Sequence, residues 1–126
     1  MAAQLHTLAP APAPRASIRD LVREMQVEIR DYDLTPDRAC VLLAKLTAIL
    51  GNCHAELTDA EIAFNEVLLT HLDSEEAANR AKIRAETTPE YRRKREASDT
   101  AKLVIALTQS LKTIIRHQGE EMRLSR

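Results

Sequence analysis

Residues 87–97 read TTPEYRRKREA, a helix start followed at once by four consecutive cations. Thr88-Pro89-Glu90 is a helix start: a hydroxyl that can accept a backbone N–H, a proline that has no N–H to lose, and a carboxylate set against the positive end of the helix dipole. The same grammar stands earlier, at Thr35-Pro36-Asp37. Everything before Thr87 must therefore turn into a new helix at residues 86–88. With helical patterns on both sides, the expected result is a chain folded back on itself there.

Composition agrees with such an architecture. Ala, Leu, Glu, Lys and Arg make up 65 of the 126 residues, the signature of long helices rather than of an average globule. Only two glycines and three aromatic residues are present, and no tryptophan. Tight hairpins and glycine-rich phosphate loops have almost no material. The expected fold class is all-α, one domain with its own core.

Working back from residue 87, Phe64, Val67, Leu68 and Leu72 mark one face of a long third helix, continued on the small residues Ala78, Ala81 and Ala85. A local break at Asp73–Ser74 stays open. Its start is expected near residues 55–58, where Thr58 and Glu61 form a capping box and Leu57 and Ile62 are spaced as a hydrophobic staple. The rival reading is one kinked helix from Pro36 onward, because the seam Ala39, Leu42, Leu46, Ile49, Cys53 leads into this region at heptad spacing. A first helix is capped by Ser17 and carries Ile18, Leu21, Val22, Met25 and Ile29. It is expected to stop within residues 31–34.

Working forward, the last helix carries Ala97, Ala101, Val104, Leu111 and Ile115, and Gly119 is the expected stop. The domain organisation expected is an Ala/Pro-rich disordered tail over 1–16, a helical domain over 17–119 and a short tail over 120–126. The whole is an elongated, coiled-coil-like bundle built on a long antiparallel helical hairpin, with two shorter helices at its base. Such a slender body should bury further apolar surface by self-association, with Phe64, Leu68, Val104, Leu111 and Ile115 as the interface seam.

The net charge of −1 conceals a strong asymmetry. Residues 1–79 carry 6 Lys/Arg against 13 Asp/Glu, whereas residues 80–95 carry 7 against 2. That contrast points to an anionic partner or to an acidic sister surface. With the fold-back at 86–88, Arg80, Lys82 and Arg84 approach the turn while Arg92, Arg93, Lys94 and Arg95 leave it. A slim basic tip is expected, with Tyr91 among the cations as a platform on which a base could stack.

Chemistry of other kinds has little footing. Cys40 and Cys53 lie 13 residues apart in one helix, roughly 20 Å along its axis and far beyond disulfide reach. Cys53-His54 is adjacent rather than helically spaced, so no zinc set forms. His71 reads as a partly buried structural histidine, and Glu75-Glu76 as the acidic first turn of a helical segment. No nucleophile elbow, phosphate loop or Glu-x-x-His pair occurs. No metal, cofactor or small-molecule substrate is expected, and no enzymatic activity. No uninterrupted run of 18 apolar residues spans a membrane, and residues 1–16 lack a secretory signal, so a cytoplasmic location is expected.

The last 38 residues, PEYRRKREASDTAKLVIALTQSLKTIIRHQGEEMRLSR, resemble the C-terminal helices of small all-helical accessory proteins of phages and prophages, nearest to the recombination mediators. That resemblance implies ring assembly, single-stranded DNA binding and help in loading a recombinase, with Tyr91 through Arg95, Arg80 and Arg84 facing the DNA. Two functional expectations follow. One is a non-enzymatic, oligomeric helical protein that acts by binding a macromolecular partner. The other is a nucleic-acid binder that uses the basic tip.

Overall fold

The computed structural model describes residues 17–74 and 77–125. The tail at 1–16 and the pair Glu75-Glu76 lie outside the described residues. Four helices follow one another: α1 (Ile18–Asp31), α2 (Pro36–Leu72), α3 (Ala78–Ala85) and α4 (Pro89–Leu124). The fold is all-α, with the long helix α2 packed against the C-terminal helix α4.

Three helix starts are capped as their sequences require. The Ser17 hydroxyl accepts the N–H of Asp20 at 3.1 Å, Thr35 that of Arg38 at 3.2 Å, and Thr88 that of Tyr91 at 3.4 Å. Pro36 and Pro89 open their helices where a missing N–H costs nothing. α1 ends at Asp31, within the expected 31–34.

The expected break at 55–58 does not occur, and α2 runs unbroken for 37 residues. Thr58 is not a cap: its hydroxyl donates to the carbonyl of His54 at 3.0 Å, a bond made inside a continuous helix. Nor is there a staple, since Leu57 is half-buried while Ile62 points to solvent. The reason lies in phase. Ala60 and Phe64 continue the buried line of Leu42, Leu46 and Cys53 without a shift, so packing along α4 favours one helix over a local capping signal.

The break instead falls at Asp73–Ser74. Asp73 N–H closes onto Leu69 O at 2.9 Å and Ser74 N–H onto His71 O at 3.3 Å, and the chain leaves the helix. α3 then packs along α2, and Tyr91 in the first turn of α4 lies against Phe64, eight residues back from the end of α2. α3 thus runs back along α2. The turn at 86–88 joins α3 to α4 without reversing direction, so the fold-back expected there is displaced by a dozen residues. Ala81 and Ala85 are fully buried, and their small size lets the short α3 lie close against α2.

α2 and α4 run in opposite directions. Leu34, just before α2, accepts from Gln118 Nε2 near the end of α4 at 2.7 Å, while Glu56 meets Arg93 and Phe64 meets Tyr91. Between these points sit the fully buried Leu42, Leu46, Val104 and Leu111, joined by Val22 from α1. Each such side chain contributes about 1.5–3 kcal/mol of burial. α1 is tied to the first turn of α2 by a two-pronged pair, Arg38 Nε to Glu28 Oε2 at 2.6 Å and Arg38 Nη2 to Glu28 Oε1 at 2.7 Å.

At its far end α4 passes through Gly119 and continues to Leu124. Gly119 has no left-handed backbone and is an ordinary helical residue, so the stop expected there is not made. Residues 120–124 are helix rather than tail.

Candidate interaction surface

The basic segment does not form a projecting tip. Arg80, Lys82 and Arg84 lie on α3 and Arg92–Arg95 on α4, all on the arm that returns along α2. Several of these cations are used internally. Arg93 Nε donates to Glu56 Oε1 at 2.9 Å, and that bond, with Asp59 close by, raises the guanidinium above its usual pKa. Lys94 Nζ sits 4.6 Å from the centroid of Phe64. Arg95 Nη1 reaches the Tyr91 hydroxyl at 3.5 Å.

Tyr91 is correspondingly half-buried, its ring tilted at 51° to Phe64 with centroids 5.4 Å apart. That geometry is an aromatic pair within the fold, not an open stacking platform. Arg19 of α1 completes the set by pairing with Glu96 at 3.2 Å. Part of the acidic counterpart to the basic run is therefore the chain's own α2, through Glu56 and Asp59. Arg80, Lys82, Arg84 and Arg92 keep exposed side chains.

The seam read from sequence as an interface is spent inside the molecule. Phe64, Val104 and Leu111 are buried in the chain's own core, and Leu68 and Ile115 are partly buried there. A second molecule can reach Phe64, Val104 and Leu111 only by unfolding the first.

A different face is open. On the side of α2 away from α4, Val41, Ala44, Ala48, Gly51 and Ala55 are all exposed, and the same line continues through Ile62, Leu69 and Leu72. Ile62 and Leu69 leave 52% and 58% of their surface in water, far more than core residues of a bundle. Between Arg38 and Glu56 the only Asp, Glu, Lys or Arg is Lys45. α2 is thus apolar on both sides, and by length and composition alone it is also long enough to cross a membrane. Sequence reading followed the inner line of Leu and Ile and passed over the outer one, whose first half is built from Ala and Gly. The signal available was the 17-residue stretch 39–55 with a single charge.

Two smaller features complete the surface. A cleft of about 360 Å³ opens between α1, α2 and α4, bounded by Arg19, Glu56, Arg93 and Glu96. Cys53 lies at its apolar side, and burial pushes its thiol pKa up, away from a reactive thiolate. Among the described residues, no three His, Cys, Asp or Glu side chains converge as a metal site. No family model, no curated protein and no solved structure matches this chain.

Proposed function

We propose that this chain is a non-enzymatic helical interaction protein, an elongated coiled-coil-like body whose business is binding another macromolecule. The observation that carries this reading is the open apolar face of α2. In most surface helices the side turned to water is polar, and a helix that is apolar all round is one that is covered on all sides. α2 is covered on one side only. Large exposed apolar patches on soluble chains mark binding surfaces.

The test is a pull-down from an extract of the source cells with the full chain as bait, beside the variant Ala55→Glu and the variant Arg92→Glu. A protein retained by wild type and by Arg92→Glu, and lost with Ala55→Glu, supports binding through the outer face of α2. An identical set of retained proteins for all three baits contradicts it.

The second reading is a nucleic-acid binder, favoured by the exposed Arg80, Lys82, Arg84 and Arg92 along α3 and the start of α4. These side chains would contact phosphates rather than bases, since Tyr91 is engaged with Phe64. Fluorescence anisotropy with single-stranded oligonucleotides at about 50 and 200 mM salt decides it, because phosphate contacts weaken steeply with salt. Binding that falls with salt and is lost on reversing Arg80, Lys82 and Arg92 supports this reading. No binding at low salt removes it.

A further inference from the structure

The outer face of α2 has more order than a generic apolar patch. Its residues follow steps of three and four without a slip from Val41 to Leu72, and every position on that line is exposed and uncharged. A line of this period calls for a facing helix whose side chains fit between its own. Two features of the line identify that helix.

The first is size. The N-terminal half is small, with Ala44, Ala48, Gly51 and Ala55. The C-terminal half is larger, with Thr58, Ile62, Asn65, Leu69 and Leu72. Laid against a second copy running the opposite way, Ala44 faces the partner's Leu69, Ala48 the partner's Asn65 and Gly51 the partner's Ile62. Each of these three layers joins a small residue to a larger one, so the two helices approach evenly across them, and at each end Val41 closes the line against the partner's Leu72. Near the symmetry axis Ala55 faces the partner's Thr58. The Thr58 hydroxyl is already bonded to its own His54 carbonyl, so it enters the contact with no donor left unmet. Gly51 has nothing within 4 Å of the place a Cβ would occupy, which is the room the partner's Ile62 needs.

The second is charge at the edges of the line, the positions that set orientation in paired helices. In the opposed register Lys45 lies beside the partner's Glu66 and His54 beside the partner's Glu61, each occurring twice by symmetry. A parallel pairing instead puts Glu61 beside the partner's Glu66 twice, like charges in contact, and stacks Gly51 on Gly51 and Ala44 on Ala44. Both criteria select the opposed arrangement.

We infer that the outer face of α2 is the interface of an antiparallel, two-fold symmetric dimer of this chain. The inference rests on the reading of that face as a binding surface and names its occupant. The line is about 47 Å long and a helix about 10 Å across. Two such strips bring together about 1,000 Å² in projection, the lower bound for a specific interface. The two-fold arrangement is isologous and closes on itself, so assembly stops at two.

The experiment is sedimentation equilibrium on the full chain, with disulfide trapping in a Cys40→Ser background. Wild type is expected at twice its 14.1 kDa mass. Ala55→Glu is expected at the monomer mass with unchanged helicity, its dissociation constant raised at least about tenfold. The double variant Gly51→Cys with Ile62→Cys is expected to cross-link on oxidation. Gly51→Cys alone is not, because the two copies of residue 51 lie about 16 Å apart along the axis, beyond disulfide reach. A wild-type monomer at about 100 µM, a dimer indifferent to Ala55→Glu, or efficient cross-linking through Gly51→Cys alone would each overturn the inference. Partition of a monomer into phosphatidylcholine vesicles would overturn it in favour of a lipid-facing α2. A monomer that still holds an Ala55-dependent protein in the pull-down overturns self-pairing alone, whereas a monomer with none overturns the underlying reading as well.

Discussion

Gly119→Ala tests the course of α4 by the sign of its effect. In the structure Gly119 is followed by more than a turn of helix, has no left-handed backbone, and leaves open space where a Cβ would stand. Alanine there should gain helix propensity and lose nothing to packing. Mid-helix, the exchange is worth about 1 kcal/mol, and about half of that should survive close to a helix end that frays. For a domain of this size about 0.5–1 kcal/mol raises Tm by roughly 2–6 °C. Had α4 stopped at Gly119 with the glycine in the left-handed region, the same methyl would cost about 1 kcal/mol or more and lower Tm by a similar interval. Thermal unfolding followed by far-UV circular dichroism, at one protein concentration for both proteins, reads the difference directly. A fall in Tm of several degrees would refute the continuous helix.

Three further outcomes are expected. Leu111→Ala, at a fully buried position, should cost about 2–5 kcal/mol in urea unfolding, and Leu111→Glu should abolish the folded state instead of releasing intact monomers. The Glu28 carboxylate is held below its usual pKa chiefly by its bonds to Arg38. A depressed carboxylate pKa adds stability that is present above the unfolded value and lost as pH falls through the folded one. Glu28→Gln should therefore be less stable than wild type at neutral pH and converge with it in acid, as read from urea midpoints against pH. Of the two thiols, exposed Cys40 should react at once with a disulfide reagent and buried Cys53 only on unfolding, so a count of two fast thiols would contradict the packing of α2.

The caps and the phase of the inner seam were legible because each is a local or strictly periodic signal. Ser17, Thr35 and Thr88 act as the sequence indicates, and Ala39, Leu42, Leu46 and Cys53 are buried as their spacing requires. Thr58 and Glu61 misled for a physical reason. A capping box stabilises a helix start only when the chain has cause to leave the preceding helix, and an unbroken line of contacts with α4 gives it none. The basic run was misplaced for a separate reason: the helix ends at Asp73–Ser74, the break the sequence left open, so α3 already runs back along α2 and the cations move from a tip to the returning arm. Arg93, Lys94 and Tyr91 then meet Glu56 and Phe64, pairings across 27–37 residues that no local pattern announces. The outer face of α2 escaped notice because Ala44, Ala48 and Gly51 carry little hydrophobic weight individually, and only their exposure beside Ile62 and Leu69 gives them meaning.

The central claim is that α2 has two working faces, an inner one that makes the fold and an outer one that pairs with a second copy of the chain. Tm as a function of protein concentration tests it most directly, for wild type, Leu46→Glu and Ala48→Glu, because a folded dimer melts at a temperature that rises with concentration. The account predicts a concentration-dependent Tm for wild type, a single concentration-independent transition for Ala48→Glu, and no cooperative transition for Leu46→Glu. A wild-type Tm that ignores concentration, or a dependence that survives in Ala48→Glu, would contradict it.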